Sequence, residues 1–575
     1  MLLPKSSTLK DAFNQAISAV TSLTSKSTSI SRPLQASVVL LLLLILTVYL
    51  TATSRAAGYF PLLTSLKDSI HFSPPGPSSP LIELQGLGIG APFSLPDVVT
   101  EDEDTALSAA TGGGYTSSQE AYLDHIKSEL LDRYSQFPGI DTSHPTCPLN
   151  LTRYTRSGLL HGSRTRKDAT ITIALNLYNS QDILPSLSMA LLETIHALAP
   201  HHKIYLSIYE NDSSDHTVPM LSELAAALVA LNIDGVFIRH SYLIKDHGTE
   251  RILGLAQLRN EALLPLLPYM GAGNSLLLFI NDVITCSSDL LELAHQLLLQ
   301  SAHAVFATDW DTNNDFPGTP RARFRDVWVT RGINGEMAYP WGRGYAPQSP
   351  NRNYVDDLFV THGESNKRWK TGRPFPVYSG WNGAVALRAS MFTELHVRFR
   401  ASEPTGWSLG EGAGAVGKWG ELISQEGYLE SDCAASECKL FARDVWNLLD
   451  GKARFVLAPQ ARTAYWLQTW ALIEDAVPPT RRTGEEEHEG EEGEDDTEDE
   501  ELIDWSEVMV PVEVVCVPSY KDGKAIYPWD DDNVKYMSSK SSYMSCSDSV
   551  SRRILTWSVD PMFNASSSVR VDGER

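Results

Sequence analysis

Ser275 to Ala294 reads SLLLFINDVITCSSDLLELA. Five apolar residues, Leu276 to Ile280, run directly into Asn281 and Asp282, and a helical pattern follows. A short apolar run bounded by polar residues predicts a buried strand, and here it delivers a carboxylate to the strand's carboxyl end. That is where open α/β sheets bind their ligands. Leaving a buried charge unpaired is costly, so Asp282 calls for a cation or several donors. No Lys or Arg lies within ten residues on either side of it. The plainer reading is that Asp282 ends the strand or caps the following turn.

The same rhythm extends in both directions. ATITIALNLYN (169–179) and KIYLSIYEN (203–211) are predicted strands, as are GVFIRH (235–240) and AVFATDWD (304–311). Helical patterns stand between them at 183–199, 219–231 and 249–267. Alternation of this kind predicts an α/β fold with a mainly parallel sheet covered by helices. Three of the strands end in acids, as YENDSSD, FINDV and TDWD, which makes chance capping a weaker explanation. Further on, 377–392 reads as loop, strand and helix start. SECKLFARDVWNLL (436–449) reads as a helix, FVLAPQARTAYW (455–466) as a closing core segment, and 508–518 as a returning strand.

The whole chain has 575 residues, 42% hydrophobic, with 13 Trp and a formal net charge of -24. That charge argues against a nucleic-acid binder. About half of it is local, since 13 of the 17 residues from Glu485 to Glu501 are acidic. The run at 476–504 therefore reads as a disordered acidic insert without the spacing of a calcium loop. ASVVLLLLLILTVYLTA (36–52) carries no charge, and the 35 residues before it hold Lys5, Lys10, Lys26 and Arg32 against Asp11. Such a long basic segment suits a signal anchor better than a cleaved signal peptide, and it leaves 1–35 in the cytosol. The expected organisation continues with a Ser-, Pro- and Gly-rich flexible stem (53–140) holding one helix near 118–135. A catalytic head (141–475), the insert, a returning core segment (505–520) and a tail (521–575) follow. Six cysteines and sequons at Asn150, Asn211 and Asn564 accord with a lumen.

A strand ending YENDSSDHT, Arg259 and Asn260 on a helix, and a strand ending in Asn281 and Asp282 together resemble the nucleotide-sugar half of GT-A glycosyltransferases. With TDWD, GWNGAVALRA (380–389) and SECKLFARD (436–444), the motif order more specifically resembles the fungal α-1,3-mannosyltransferases typified by the cryptococcal capsule enzymes, glycosyltransferase family 69. The resemblance covers roughly 147–518. It implies a Golgi (or ER) type II membrane enzyme, its head luminal. Such an enzyme would transfer mannose from GDP-mannose to a glycan or glycolipid acceptor with retention, using a divalent cation, manganese first and magnesium second. The alternative is a non-catalytic luminal glycan-binding or assembly protein on the same fold.

The resemblance assigns expected roles. Asp282 stands at the metal position, although FINDV lacks the full Asp-x-Asp, and Asp309 and Asp311 hold that pattern and compete for the role. Oxygen ligands of this type suit a magnesium- or manganese-like ion. Glu210, Asn211 and Asp212 would bond ribose or guanine, the alternative being an Asx turn. Arg259 would pair with a phosphate through its planar fork, or lie on the surface. Asn281 joins the nucleotide-sugar rim. Trp381 would form a floor under the sugar while Asn382 reaches hydroxyls, or Trp381 packs in the core. Glu437 is the expected catalytic acid, otherwise a first-turn glutamate complementing its helix dipole. Separately from the resemblance, Cys286 lies just past the strand ending in Asp282 and Cys438 beside Glu437, so a disulfide between them is expected to tie the two halves of the site together, with Cys433 competing as partner.

Overall fold

Runs of β-branched and aliphatic residues supply the strands. In chain order these are β1 Leu81–Gln85, β2 Thr170–Leu177, β3 Lys203–Glu210, β4 Gly235–His240, β5 Leu276–Ile280, β6 Ala304–Asn313, β7 Arg321–Phe324 and β8 Arg331–Gly332. The list continues with β9 Phe375–Ser379, β10 Ala384–Arg388 and β11 Phe455–Ala464. The principal helices are α1 Ser117–Tyr134, α2 Leu184–Leu198, α3 Thr217–Ala230, α4 Arg251–Leu263, α5 Ser287–Leu299, α6 Gly363–Lys370, α7 Glu437–Leu448 and α8 Leu467–Ala476. This computed structural model describes residues 81–85, 87, 90–93, 117–160, 169–240, 251–271, 275–313, 321–326, 328–338, 355, 358–400, 436–476 and 502–516, with short strands at 519–521, 524–526 and 535–538.

All eleven strands form one mixed sheet in the order β1-β4-β3-β2-β5-β10-β6-β11-β9-β8, with β7 paired to β6. The half from β1 to β5 is entirely parallel. β10 runs against both of its neighbours, β5 and β6, while β6 and β11 are parallel. Every strand except β7, β9 and β10 therefore points one way. β2 and β5 are buried along almost their whole length; LLLFI is apolar on both faces, while TITIALNL sets Thr170, Thr172 and Asn176 on one covered face and Ile171, Ile173, Leu175 and Leu177 on the other.

The predicted α/β pattern is observed, and most element ends shift by three residues or fewer. The helix expected to reach Leu267 stops at Leu263 and tightens into a 3-10 segment, Leu264–Tyr269. Pro265 and Pro268 cannot donate the backbone bonds an α-helix needs there. The segment read as a loop before the Gly380 turn is partly strand β9.

Two boundaries require correction. The expected stem does not extend to residue 140, because β1 pairs in parallel with β4 and α1 packs on α2 and α3. The returning strand does not join the main sheet: Glu513–Cys516 (β12) pairs with Lys535–Ser538 in a separate ladder, which also draws part of the expected tail into strand. The expected anchor at 36–52 and nearly all of the acidic insert lie outside the described residues, among which no helix is long and apolar enough to cross a membrane.

The expected Cys286–Cys438 bridge is not formed. Cys286 is bonded to Cys147, and Cys438 is a buried free thiol. A single helical turn, Thr152–Thr155, docks on α5 through Arg153, which grips Glu292 at 2.8 and 2.9 Å, and Tyr154, whose hydroxyl donates to Ser288 O at 3.0 Å. That docking carries Cys147 to the start of α5.

Candidate active site

Asn281 and Asp282 leave β5 at the carboxyl edge, as the apolar run predicts. The chain then runs sideways, with Ile284 exchanging backbone hydrogen bonds with Ala464 at the end of β11, at 2.7 and 3.0 Å. Gly383 permits this close approach. It adopts φ +80°, and a Cβ there would run into the Thr463 hydroxyl and meet Val283 at 3.1 Å. Asn281 N also donates to Gly383 O at 2.8 Å. The β5 exit is thus fixed from two sides.

The Asn281 side chain is an anchor within this fold. Its Oδ1 accepts from Arg259 Nη1 at 3.0 Å and from Trp381 Nε1 at 3.1 Å. Arg259 in turn donates Nε to Glu437 Oε1 at 2.9 Å and lies 4.4 Å over the Trp381 ring. Arg259 therefore spends its fork on protein partners inside the head rather than waiting for a phosphate. Trp381 is buried among Phe279, Phe399 and Phe441, with Arg259 over its ring, so it forms no open floor for a sugar. Asn382 is fully buried as well. Its Nδ2 donates to Ala307 O at 2.7 Å, and its Oδ1 accepts from Thr330 at 2.7 Å. Both expectations of sugar contact give way to packing, because β10 crosses the middle of the sheet and carries these residues inward.

Glu437 sits in the first turn of α7, behind Ser436, whose hydroxyl caps Cys438 N at 3.2 Å. Besides Arg259, its carboxylate is met by Ser436 Oγ at 3.2 Å and Cys438 Sγ at 3.4 Å. At 2% exposure it is held deep in the head by that pairing.

Acids gather opposite this network. Asp309 is buried near the end of β6, and its Oδ1 has no hydrogen-bond partner. Burial pushes its carboxyl well above the ordinary range; Asp326, Asp311 and Asp282 push the same way, and Arg325 opposes them. Asp326 is raised too, chiefly by burial and in part by Glu437, although Val329 N and Asn382 N donate to it at 3.1 and 3.4 Å. The Tyr465 phenol is raised by burial and by the charges of Asp309 and Asp282. Asp282, Asp309 and Asp326 thus converge electrostatically at the carboxyl edge. Asp311 stands apart: Arg323 and Arg325 reach it at 3.5 and 3.6 Å, and Thr312 N donates to it at 2.8 Å.

Asp326 escaped the sequence reading. It follows β7, and the pairing of β7 back on β6, Phe324 opposite Trp310, returns it to Asp309. An acid just beyond a strand that folds back on TDWD is the only sequence signal it offered.

Beyond β3 the three predicted nucleotide residues separate. Glu210 is fully buried, pairing with His240 and accepting from Ser213 N at 2.7 Å, so it holds the loop closed instead of facing a ribose. Asn211 is 5% exposed, with its Oδ1 buried and unbonded. Asp212 takes φ +61° and is partly exposed. The DSSDHT segment forms the Asx-type turn: Asp215 accepts from Gln181 N and Thr217 N at 3.1 and 2.9 Å.

Among the described residues no three His, Cys, Asp or Glu side chains converge closely enough to enclose a metal on their own. The donor chemistry nevertheless fits a hard cation. Ions of the magnesium type commonly rest on one or two carboxylates and complete their shell with water and substrate phosphate. Mutually repelling acids and the unpartnered Asp309 oxygen provide what such an ion needs.

Residues 170–444 match the family described as Cryptococcal mannosyltransferase 1. The chain resembles the cryptococcal mannosyltransferases. The motif-based resemblance is borne out by this match and by the alpha-1,3-mannosyltransferase CMT1 of Cryptococcus neoformans, which is 30% identical over 296 residues. That alignment takes in 49% of this chain and 54% of the relative, so the chain spans about half the length of the curated relative it matches. Two solved structures are similar at low scores. GalNAc-T7 with UDP, GalNAc and Mn2+ has TM-score 0.28 and 12% identity, over 51% of this chain and 42% of that one. The mannosyltransferase PcManGT from Pyrobaculum calidifontis with GDP-Man and Mn2+ has TM-score 0.25 and 11% identity, over 60% and 68%. Scores this low carry no inference for this head. Its matched segment runs from β2 into α7 and contains every candidate residue from Glu210 to Glu437.

Proposed function

We propose that this protein is a metal-dependent glycosyltransferase of GT-A type, transferring mannose from GDP-mannose to a glycan or glycolipid acceptor with retention and forming an α-1,3 linkage. The observation that carries this reading is the buried, unpartnered Asp309 oxygen near the end of β6, on whose carboxyl the charges of Asp326, Asp311 and Asp282 all act. Mannose and the α-1,3 linkage come from the family resemblance and the named relative.

A divalent ion at this edge, manganese or magnesium, would neutralise charge developing on the departing diphosphate. Asp282 and Asp309 would hold it, and Asp326 would sustain the negative field around them. Asp212, projecting from the positive-φ corner after β3, would bond the nucleoside. Glu437, held in place by Arg259, would stabilise positive charge building on the sugar. Arg259 and Asn281 would hold Glu437 and the β5 exit in fixed relation. The head would work in the lumen of the Golgi or ER behind the predicted anchor.

The test is incubation of the detergent-purified chain with a panel of nucleotide sugars and glycan acceptors, with and without manganese. Transfer from GDP-mannose that stops on chelation is the expected result. Donor hydrolysis without acceptor dependence, or no turnover with any donor, would refute it.

A further inference from the structure

Three Asn-X-Ser/Thr triplets occur in this chain, and two of them lie in described residues under opposite conditions. Asn150 is exposed. Its Oδ1 accepts from Thr152 N at 3.1 Å, a closed Asx turn, and its Nδ2 bonds nothing among the described residues. The chain is pinned on both sides of it. Cys147, three residues before, is bonded to Cys286, and Arg153, three residues after, is clamped to Glu292. Asn150 therefore stands on a rigid outward corner. Asn211 differs in every respect: it is 5% exposed, its Oδ1 is buried, and its backbone N donates to Leu177 O at 3.1 Å in the edge joining β2 and β3.

We propose that Asn150 carries an N-linked glycan and that Asn211 carries none. This rests on the luminal placement read from the sequence. In the transfer, Asn150 Nδ2 bonds to the anomeric carbon of an oligosaccharide carried on a lipid diphosphate. The anomeric carbon–oxygen bond breaks, the lipid diphosphate leaves with that electron pair, and the amide gives up one proton. Transfer precedes folding, so a glycan at Asn211 would have to be buried where the β3 exit closes; a folded head cannot accommodate it. At Asn150 the sugar extends from the surface.

The full chain, expressed in a eukaryotic secretory host, is digested with a peptide-N-glycosidase and followed by gel mobility and peptide mass. Wild type is expected to lose a glycan that maps to Asn150. Thr152→Ala, which keeps the Asx turn and removes the acceptor signal, should lose that glycan; so should Asn150→Gln. Asn211→Gln should leave the pattern unchanged. A glycan mapped to Asn211 in soluble folded protein overturns the proposal, as does Thr152→Ala migrating like wild type. Non-reducing peptide maps separate the two ways of failing. A formed Cys147–Cys286 bond with bare Asn150 overturns the site assignment alone. Absence of both the bond and the glycan overturns it together with the luminal placement.

Discussion

Arg259 and Glu437 are 178 residues apart in sequence and joined by a buried hydrogen bond of 2.9 Å. The same guanidinium reaches Asn281 and lies over Trp381, so one side chain binds α4, β5, the β9–β10 turn and α7 into a single unit. Glu437→Gln leaves a buried cation without its counter-charge and should destabilise the head by about 3–5 kcal/mol. Arg259→Met should cost a similar amount. The double variant should cost clearly less than the two together, because neither charge is then left alone. Denaturant midpoints of the four proteins measure this, and additive losses would contradict it.

Under the proposed function, Asp282→Asn and Asp309→Asn should both lower sugar transfer at saturating manganese, each by several kcal/mol of barrier, where about 1.4 kcal/mol is tenfold in rate. They should differ in stability. Asp309 is buried among like charges, so its neutral isostere should raise the melting point in chelator, by the equivalent of about 1 kcal/mol. Asp282 is partly exposed, and its replacement should leave the melting point nearly unchanged. A slow Asp309→Asn enzyme with a lowered melting point would point to a structural role instead.

The disulfide offers a third measurement. Cys147–Cys286 closes a separation of 139 residues, and a loop of that size restricts the unfolded chain by up to about 5 kcal/mol on the entropic account. Reduction, or Cys147→Ser, should lower stability by about 2–5 kcal/mol. Thermal unfolding with and without reductant reads it directly.

Asp289, in the first turn of α5, is held at about 6 by burial, against the pull of Arg462. Its folded value lies above its unfolded one, so its contribution to stability is complete below about pH 4 and is lost as pH rises through 6. The span corresponds to about 3 kcal/mol. Asp289→Asn should therefore gain stability relative to wild type between pH 4 and pH 7. A difference that stays flat with pH would show that Asp289 titrates normally.

The parallel half of the sheet was legible because its strands are short, β-branched or aliphatic runs separated by helical patterns: LLLFI is an uninterrupted apolar run, and TITIALNL carries Ile and Leu at every second position. β9 was obscured because Tyr378, Ser379 and Gly380 resemble turn residues, and only the buried company of β11 and α7 makes them strand and strand end. The acids after β5 and β6 were readable for the same reason as the strands, since each ends an apolar run. Their partners were not. Asn382 and Trp381 look like ligand-facing polar and aromatic residues until β10 is seen to run antiparallel through the centre, which turns them into the head. The disulfide was misread because two cysteines close to acids suggested one site, whereas the docking of Tyr154 and Arg153 on α5 decides which thiols meet.

β11 is late in the chain and central in the sheet, between β6 and β9. Vectorial synthesis therefore produces β6 some 150 residues before the neighbour that covers its far side, and Arg259 waits still longer in sequence terms than most strands do for its counter-ion on α7. Until β11 is made, β6 offers an open apolar edge of the kind that recruits other chains. The nascent protein consequently needs sheltering until nearly its whole head has emerged, and truncation before residue 455 should yield aggregates rather than a smaller working head.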